Sequence, residues 1–416
     1  MGIRVETAVV GGGVYGASIA FHLARLGKTD VILLDKGPIG GETSSQGAGF
    51  LASLRETEPL ALLSLYSMRF YANFDQETGY PLRVRQVGSV KVASSDSTVE
   101  LLQQEQAVAR QVDIEVRPLT KKELGQLVPA IDPAYVREAH YIPFEGYVEA
   151  TAPVAYGLAQ GAHRRGVTVR SHTSVRQLTA RRGGDYTLIT DDGEIEAANL
   201  VIAAGAYSPA LMAQLGVPIP VYPFLHQCSV VSTRATIPVD MPAIRVPDLH
   251  QYVRHADGGL LVGGTEPNLT SPEPAAPASE LELKRVSPGR KELSGFIDHA
   301  SDLFPALRDS FTIRDQRGLI TVSPDLNFVV GQAPAMPGLY VASGCNGRGV
   351  QSAPGVGRLV AELIVRGESW IDPAPLGIDR FGGQFQSLEA LRQACFLALT
   401  SGIANESGQA AQANFS

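Results

Sequence analysis

Residues 5–36 read VETAVVGGGVYGASIAFHLARLGKTDVILLDK: an apolar strand, a G-x-G-x-x-G turn at Gly11, Gly13 and Gly16, an apolar helix, and a second strand running into Asp35 and Lys36. A glycine triplet alone is common. This one follows Ala8-Val9-Val10, opens a helix and is followed about twenty positions on by an acidic residue, which is the context of a dinucleotide-binding βαβ unit. Gly11 permits the tight turn and Gly13 lets the backbone approach a pyrophosphate. Gly16 lets helix and strand pack closely, so that the amides around Val14 and Tyr15 face the phosphates. Asp35 is placed to accept hydrogen bonds from ribose hydroxyls and to repel a 2′-phosphate.

Outward from this unit, the chain returns twice to the same pattern. Leu200-Val-Ile-Ala-Ala-Gly-Ala-Tyr-Ser208 is a strand ending in small residues, Ala204 and Gly205 among them, after the hairpin-like stretch 189–195. Leu339–Gly349 is another strand entering a glycine turn, with a helix expected over Val356–Arg366. Helical periodicity over Ala152–Arg165 and a short strand at Val167–Val169 complete the first βαβ more than a hundred residues later. The fold class is therefore α/β: a Rossmann-like nucleotide domain interleaved with a second domain. The expected division gives residues 1–55, 146–208 and 316–380 to the nucleotide domain. Residues 56–145 and 209–315 form a substrate domain with a mixed or antiparallel sheet, marked by strands such as Gln227–Thr233 and Gly259–Gly263. A C-terminal helix is expected over 381–400 and a flexible tail over 401–416; SPEPAAPA at 271–278 reads as a proline-rich surface loop.

The chain has 416 residues, 44% of them hydrophobic, enough for a large core. A net charge of −7 gives no basic field for nucleic acid. Cys228, Cys345 and Cys395 have neither pairing nor metal-ligand spacing, no metal is expected, and the usage suits a reduced cytoplasmic protein. The first strand follows Met1 almost directly and no apolar run is long enough to span a bilayer, so neither a signal peptide nor a membrane span is expected.

The order GGGVYG, LLDKG, VIAAGAYS, SPDLNFVVG and GLYVASGCNGRGVQSAPGVGRLVAELI resembles the D-amino-acid-oxidase superfamily of FAD enzymes up to about residue 366. Within it, GAGFLASLR (47–55), FLHQ (224–227), YVRHADGGLLVGGTEPN (252–268) and SPDLNF (323–328) are most similar to the dimethylglycine and sarcosine dehydrogenase and oxidase branch. The resemblance implies oxidation of the C–N bond of a small secondary or tertiary amine or N-methyl amino acid, with FAD accepting the hydride and the imine hydrolysing. It implies cofactor contacts from Thr43, Ser44, Ser45, Gln46, Gly47, Ala48 and Gly49, from Val175, and from Asn346, Gly347, Arg348, Gly349, Val350 and Gln351. Amides at this last turn would stabilise negative charge on reduced flavin.

The departures from the branch are as informative. Gln46 stands where the branch often carries a flavin-linking histidine, and Gly318 stands where monomeric sarcosine oxidases carry a flavin-linking cysteine. The expectation is noncovalent FAD. The lysine that activates oxygen falls at Leu261 and the lysine that grips the substrate carboxylate falls at Gln351, leaving an amide at that substrate-facing position. Arg348 and Arg55 are the candidate carboxylate partners, because guanidinium pairs bidentately with carboxylates. His226 and Tyr252 match a histidine and a tyrosine that line the branch's active site; they are the expected catalytic pair, the histidine titrating in a useful range. The electron acceptor is left open between oxygen and a protein or quinone. Two further readings stand beside the enzyme: a flavin subunit of a hetero-oligomeric amine, opine or proline dehydrogenase, with partner subunits, and a non-catalytic FAD-binding assembly protein. No counterpart of the branch's folate-binding domain is expected after Ile378-Asp-Arg-Phe381.

Overall fold

The structure is a computed structural model that describes residues 2–55, 57–181, 183–265, 269–271, 290–334 and 336–401. Most of the proline-rich stretch 271–278 and all but the first residue of the expected tail lie outside the described residues.

The opening strand, β1 (Ile3–Val10), leads through the glycine turn into α1 (Val14–Arg25), and β2 (Val31–Leu34) returns beside β1 in parallel. Every residue of α1 from Val14 to Ala24 is buried. Burial of a side chain such as Phe21 or Leu23 contributes roughly 1.5–3 kcal/mol, so tertiary packing rather than propensity holds this helix. The crossover α6 (Ala152–His163) and strand β9 (Thr168–Arg170) close the first βαβ from far along the chain, β9 pairing in parallel with β2. On the other edge, β1 pairs in parallel with β12 (Gly193–Ile202), which continues to the antiparallel strands β11 (Tyr186–Thr190) and β10 (Val175–Ala180). The C-terminal half of β12 also takes β19 (Leu339–Ser343) in parallel, and β19 takes β18 (Val329–Gln332) antiparallel. The helix after β19, α9 (Gly349–Arg366), packs on α1. It starts at Gly349 and passes through Pro354, several residues before the expected 356.

The packing divides the chain differently from the expected boundaries at 55, 208 and 316. Helices α2 (Glu58–Ala72) and α3 (Phe74–Thr78) put Leu60, Leu63, Met68, Phe70, Tyr71 and Phe74 into the core under α1, α6 and α9. Likewise α7 (Ser208–Gln214) and the stretch to Val221 cover the opposite face of the nucleotide sheet. The sequence reading assigns 56–145 and 209–315 to the substrate domain and names no helix in either stretch.

The second sheet has eight strands in the order β17 (Phe311–Val322), β13 (Tyr222–Ser232), β16 (Gly259–Gly264), β15 (Gln251–Ala256), β14 (Ala243–Val246), β5 (Ser89–Ala93), β7 (Glu138–Ile142) and β6 (Arg117–Pro118). It is antiparallel except where β14 meets β5, so it is mixed. Residues 316–322, expected in the nucleotide domain, are the second half of β17 and belong to this sheet. Its apolar face is covered by α8 (Arg290–Ala300) and the segment after α5 (Lys121–Leu127). A small sheet of β3 (Phe50–Leu51), β8 (Gly146–Val148) and β4 (Val84–Arg85) joins the two bodies. Two helices complete the fold: α4 (Asp96–Gln111), capped by Ser95, and α10 (Leu388–Thr400), capped by Ser387. Among the described residues no helix is long and apolar enough to cross a membrane.

Candidate active site

A single cavity of about 810 Å³ runs from the βαβ turn to the inner face of the second sheet. At one end the walls are backbone. Gly11 has φ +107°, and a Cβ there would lie 2.4 Å from Ala203 O; a Cβ on Gly16 would lie 1.8 Å from Gly11 O. Only glycine allows the turn to press against the strand while the start of α1 stays bare. Gly11 N is spent on Leu34 O, Gly12 N on Asp35 Oδ2 at 2.7 Å, and Val14 N on Ser44 Oγ at 3.1 Å. The amides of Gly13 and Tyr15 have no such partner among the described residues, and both residues line the cavity. Asp35 accepts from Gly12 N and Gly37 N, and burial raises its pKa. Lys36 caps this end with its Nζ 3.6 Å above the Tyr207 ring.

Of the expected cofactor residues, Thr43, Ser44, Gln46, Gly47, Ala48, Gly49, Val175, Ala204, Gly205 and the whole of 346–351 line this cavity. Gly16 and Ser45 do not. Gly16 acts one layer back through close packing, and the Ser45 hydroxyl donates to Gly41 O and Glu42 O. The turn before α9 is also less open than expected. Asn346 N donates to Thr321 O and Arg348 N to Cys345 O, while the Asn346 amide bridges Ser323 N and Gly344 O. The amides of Gly347, Gly349, Val350 and Gln351 remain to face an anionic group. Sequence reasoning missed the walls supplied by Thr173, Ser174 and Arg176 on one side and by Thr321 and Ser343 on the other.

Two positions bear on a covalent flavin link. Gln46 lines the cavity with its Nε2 donating to Ser45 Oγ. Gly318 also lines it, and a Cβ there would lie 2.7 Å from Thr43 Cγ2. The room a flavin-linking cysteine would use is filled by Thr43, whose hydroxyl donates to Leu319 O.

At the far end the walls are side chains of the second sheet. His226 Nε2 lies 2.9 Å from Tyr252 Oη. They come from β13 and β15, with β16 between them, and the bridge forms because Gly263 on β16 leaves the Tyr252 ring free to cross: a Cβ at 263 would lie 2.6 Å from that hydroxyl. Burial lowers the His226 pKa to about 4, so the ring is neutral at physiological pH rather than titrating there as expected. Burial likewise lowers His250, against the pull of Asp248.

Arg348 and Gln351 line the cavity near the second glycine turn, and the Gln351 Nε2 is buried without a hydrogen-bond partner among the described residues. Arg55 reaches the cavity with its guanidinium held on Leu54 O at 2.6 Å and Ala52 O at 2.9 Å. Leu261 is fully buried among Cys228, Val230 and Tyr252 and is not among the residues that line the cavity. Charged residues that the sequence reading did not single out, Lys91, Glu105 and Arg245, line this end as well. The signal for Lys91 and Arg245 is a charge inside a buried apolar strand, as in Ser-Val-Lys91-Val-Ala and Ala-Ile-Arg245-Val, while Glu105 comes from helix α4.

The family described as "DAO: FAD dependent oxidoreductase" matches residues 6–363. The chain is 31% identical over 384 residues to a 4-methylaminobutanoate oxidase (formaldehyde-forming) of Paenarthrobacter nicotinovorans, covering 91% of this chain and 46% of that protein. It is 28% identical to the mitochondrial regulatory subunit of pyruvate dehydrogenase phosphatase of Mus musculus, over 94% of this chain and 44% of that one. It therefore spans about half the length of these relatives. The crystal structure of glycine oxidase from Geobacillus kaustophilus superposes with a TM-score of 0.78 at 28% identity, covering 91% of this chain and 99% of the other.

Proposed function

The chain belongs to the DAO family of FAD-dependent oxidoreductases, and from that premise we propose that it oxidises the C–N bond of a small secondary or tertiary amine or N-methyl amino acid. The observation that carries this reading is the His226–Tyr252 pair, 2.9 Å apart in the wall of the cavity that begins at the βαβ turn. FAD, when bound, supplies the hydride acceptor. The amides of Gly13 and Tyr15 and those of Gly347 and Gly349–Gln351 would hold its charged and carbonyl parts, and Asp35 its ribose. The residues left to the chain's own chemistry are few. An amine gives up hydride only through its free lone pair, and a neutral imidazole beside a neutral phenol offers an ammonium ion no counter-charge, so this wall favours the unprotonated amine. The pair orients the amine by hydrogen bonding and needs no strong base. Loss of hydride from the carbon next to nitrogen leaves an iminium, which water converts to a carbonyl compound and the dealkylated amine.

Gln46 offers no nucleophile for the flavin, and Thr43 fills the room beside Gly318, which supports noncovalent FAD. Acid precipitation tests this: the yellow colour is expected in the supernatant, and colour in the pellet overturns it. Anaerobic mixing with sarcosine, dimethylglycine, proline and 4-(methylamino)butanoate should bleach the flavin with at least one of them. If none does while dithionite does, the enzymatic reading fails and an FAD-binding assembly role replaces it. Peroxide release in air then separates oxygen from a quinone or protein as the acceptor.

A further inference from the structure

The strand register that places Tyr252 in the cavity continues beyond it. Tyr252 on β15 pairs with Arg245 on β14, and Arg245 pairs with Lys91 on β5, so the three side chains share one face of the sheet. All three line the cavity. Like charges at directly opposed positions destabilise a sheet, and taking each from water costs more. Each cation has a buried carboxylate beside it: Glu105 Oε1 lies 2.6 Å from Lys91 Nζ, and Glu145 Oε2 lies 3.0 Å from Arg245 Nη2. Glu145 is shared widely, accepting also from Ser53 N, Ser53 Oγ, Leu54 N and Ser89 Oγ. Burial pushes the Glu145 pKa up, but Arg245 and these donors outweigh it and leave the group below its ordinary value, a carboxylate. Arg245 keeps a buried Nε–H with no acceptor among the described residues. A wall needed only for packing is at least as stable when apolar. Here the fold sets two cations, Arg245 and Lys91, in the wall of a ligand cavity.

Resting on the amine-oxidising reading above, we propose that Arg245 and Lys91 form a subsite for a substrate carboxylate separated from the amine by several carbons. Strands lie about 4.8 Å apart, which sets the register positions of Arg245 and Lys91 roughly 5 and 10 Å from that of Tyr252. The carboxyl carbon of an α-amino acid lies only about 2.5 Å from its nitrogen. A substrate whose amine meets Tyr252 and His226 therefore reaches this wall when methylenes intervene, and an N-methyl α-amino acid falls short of it.

The test uses the FAD-loaded full chain. Anaerobic flavin reduction is measured with sarcosine, 3-(methylamino)propanoate, 4-(methylamino)butanoate and N-methylbutylamine. The apparent Kd should fall at least tenfold from sarcosine to 4-(methylamino)butanoate and rise again for N-methylbutylamine, which lacks the carboxylate. In Arg245→Gln the preference for 4-(methylamino)butanoate over N-methylbutylamine should shrink about tenfold, with partial recovery in Arg245→Lys. Should Arg245→Gln not fold, Lys91→Gln combined with Glu105→Gln removes the neighbouring charge without leaving a buried ion alone, and the same loss of preference is expected. A second arm needs no turnover: glutarate should perturb the flavin absorbance at lower concentration than acetate, and Arg245→Gln should abolish the difference. Equal Kd values along the series, or a preference that survives the substitutions, overturns the subsite. If no amine bleaches the flavin, the proposed function is what fails, and the glutarate arm decides the subsite alone.

Discussion

The two ends of the cavity are built from different materials. Around Gly11, Gly13 and Tyr15 the wall is backbone, made by one contiguous stretch in which Gly11 and Gly16 are forced by close backbone approaches. Around His226, Tyr252, Arg245 and Lys91 it is side chain, contributed by four strands spread over residues 89–256 and assembled by register. A backbone site tolerates no change at its glycines but asks little of its side chains; a side-chain site should lose function by degrees while the fold stands.

Gly11→Val is the harshest way to break this contrast. It adds a Cβ 2.4 Å from Ala203 O at φ +107°, a conformation that costs a β-branched residue several kcal/mol by steric clash alone. The expected product is a protein without FAD. A yellow Gly11→Val protein, with the flavin peak at wild-type intensity after gel filtration, would show that the turn is not what holds the cofactor. Asp35→Ala is milder. It removes the acceptor for Gly12 N and Gly37 N as well as the acceptor proposed for the ribose, and a loss on the order of 1–3 kcal/mol in FAD affinity is expected. Isothermal titration of the apoprotein measures it, and an unchanged Kd would remove Asp35 from the site.

The same difference in construction explains what the sequence makes readable. The nucleotide end was legible because glycine spacing, strand, helix and acid stand in one local order, and each has a single physical reason. Helices α2 and α7 lie in or beside stretches assigned from the sequence to the substrate domain, yet they pack on the nucleotide sheet; local sequence order carries no sign of which sheet a buried face meets. Lys91 and Arg245 were not legible as partners of Tyr252. They are separated from it by 161 and 7 residues, and the antiparallel pairing of β14 with β15 together with the parallel pairing of β14 with β5 sets them in one row. Asn346 shows the limit within a motif: it lies in the right turn, but its own amide and side chain are consumed in holding that turn together.

At the side-chain end, graded effects are expected. His226→Ala and Tyr252→Phe should keep full FAD content and slow flavin reduction by about 10–100-fold, the usual range for losing one orienting contact in a transition state. Gly263→Ala sharpens the comparison, because it touches neither residue's chemistry. The added methyl meets the Tyr252 hydroxyl and Cys228 Cβ, pushes the phenol off His226, and should reproduce part of the Tyr252→Phe defect. Stopped-flow reduction of protein with a matched flavin-to-protein ratio checks all three. Wild-type rates in every variant would mean that the far end of the cavity is not where the amine reacts.

The smallest expected effect is a missing one. A histidine with its ordinary pKa of about 6.5 would put an inflection into the pH profile of flavin reduction between pH 5 and 8. Burial holds His226 near 4, so its ring is neutral across that range. The rate at limiting amine should instead rise tenfold per pH unit towards the ammonium pKa of the substrate, because only the unprotonated amine reacts. Changing the amine to one with a lower ammonium pKa should move the whole curve down the pH axis by the same amount. The sign for stability follows from the same group: the unfolded chain binds a proton at His226 below about pH 6.5 while the folded chain does not until near 4, so the contribution of this residue to stability falls as the pH drops through that window. Buried His22, lowered to about 3, acts in the same direction. His226→Gln should therefore flatten part of the decline in melting temperature between pH 6.5 and 4 while leaving the amine-set inflection where it was. A kinetic inflection near 6.5 that stays fixed when the amine is changed and vanishes in His226→Gln would instead make His226 a titrating base, and the two ends of the cavity would then differ by a proton as well as by their construction.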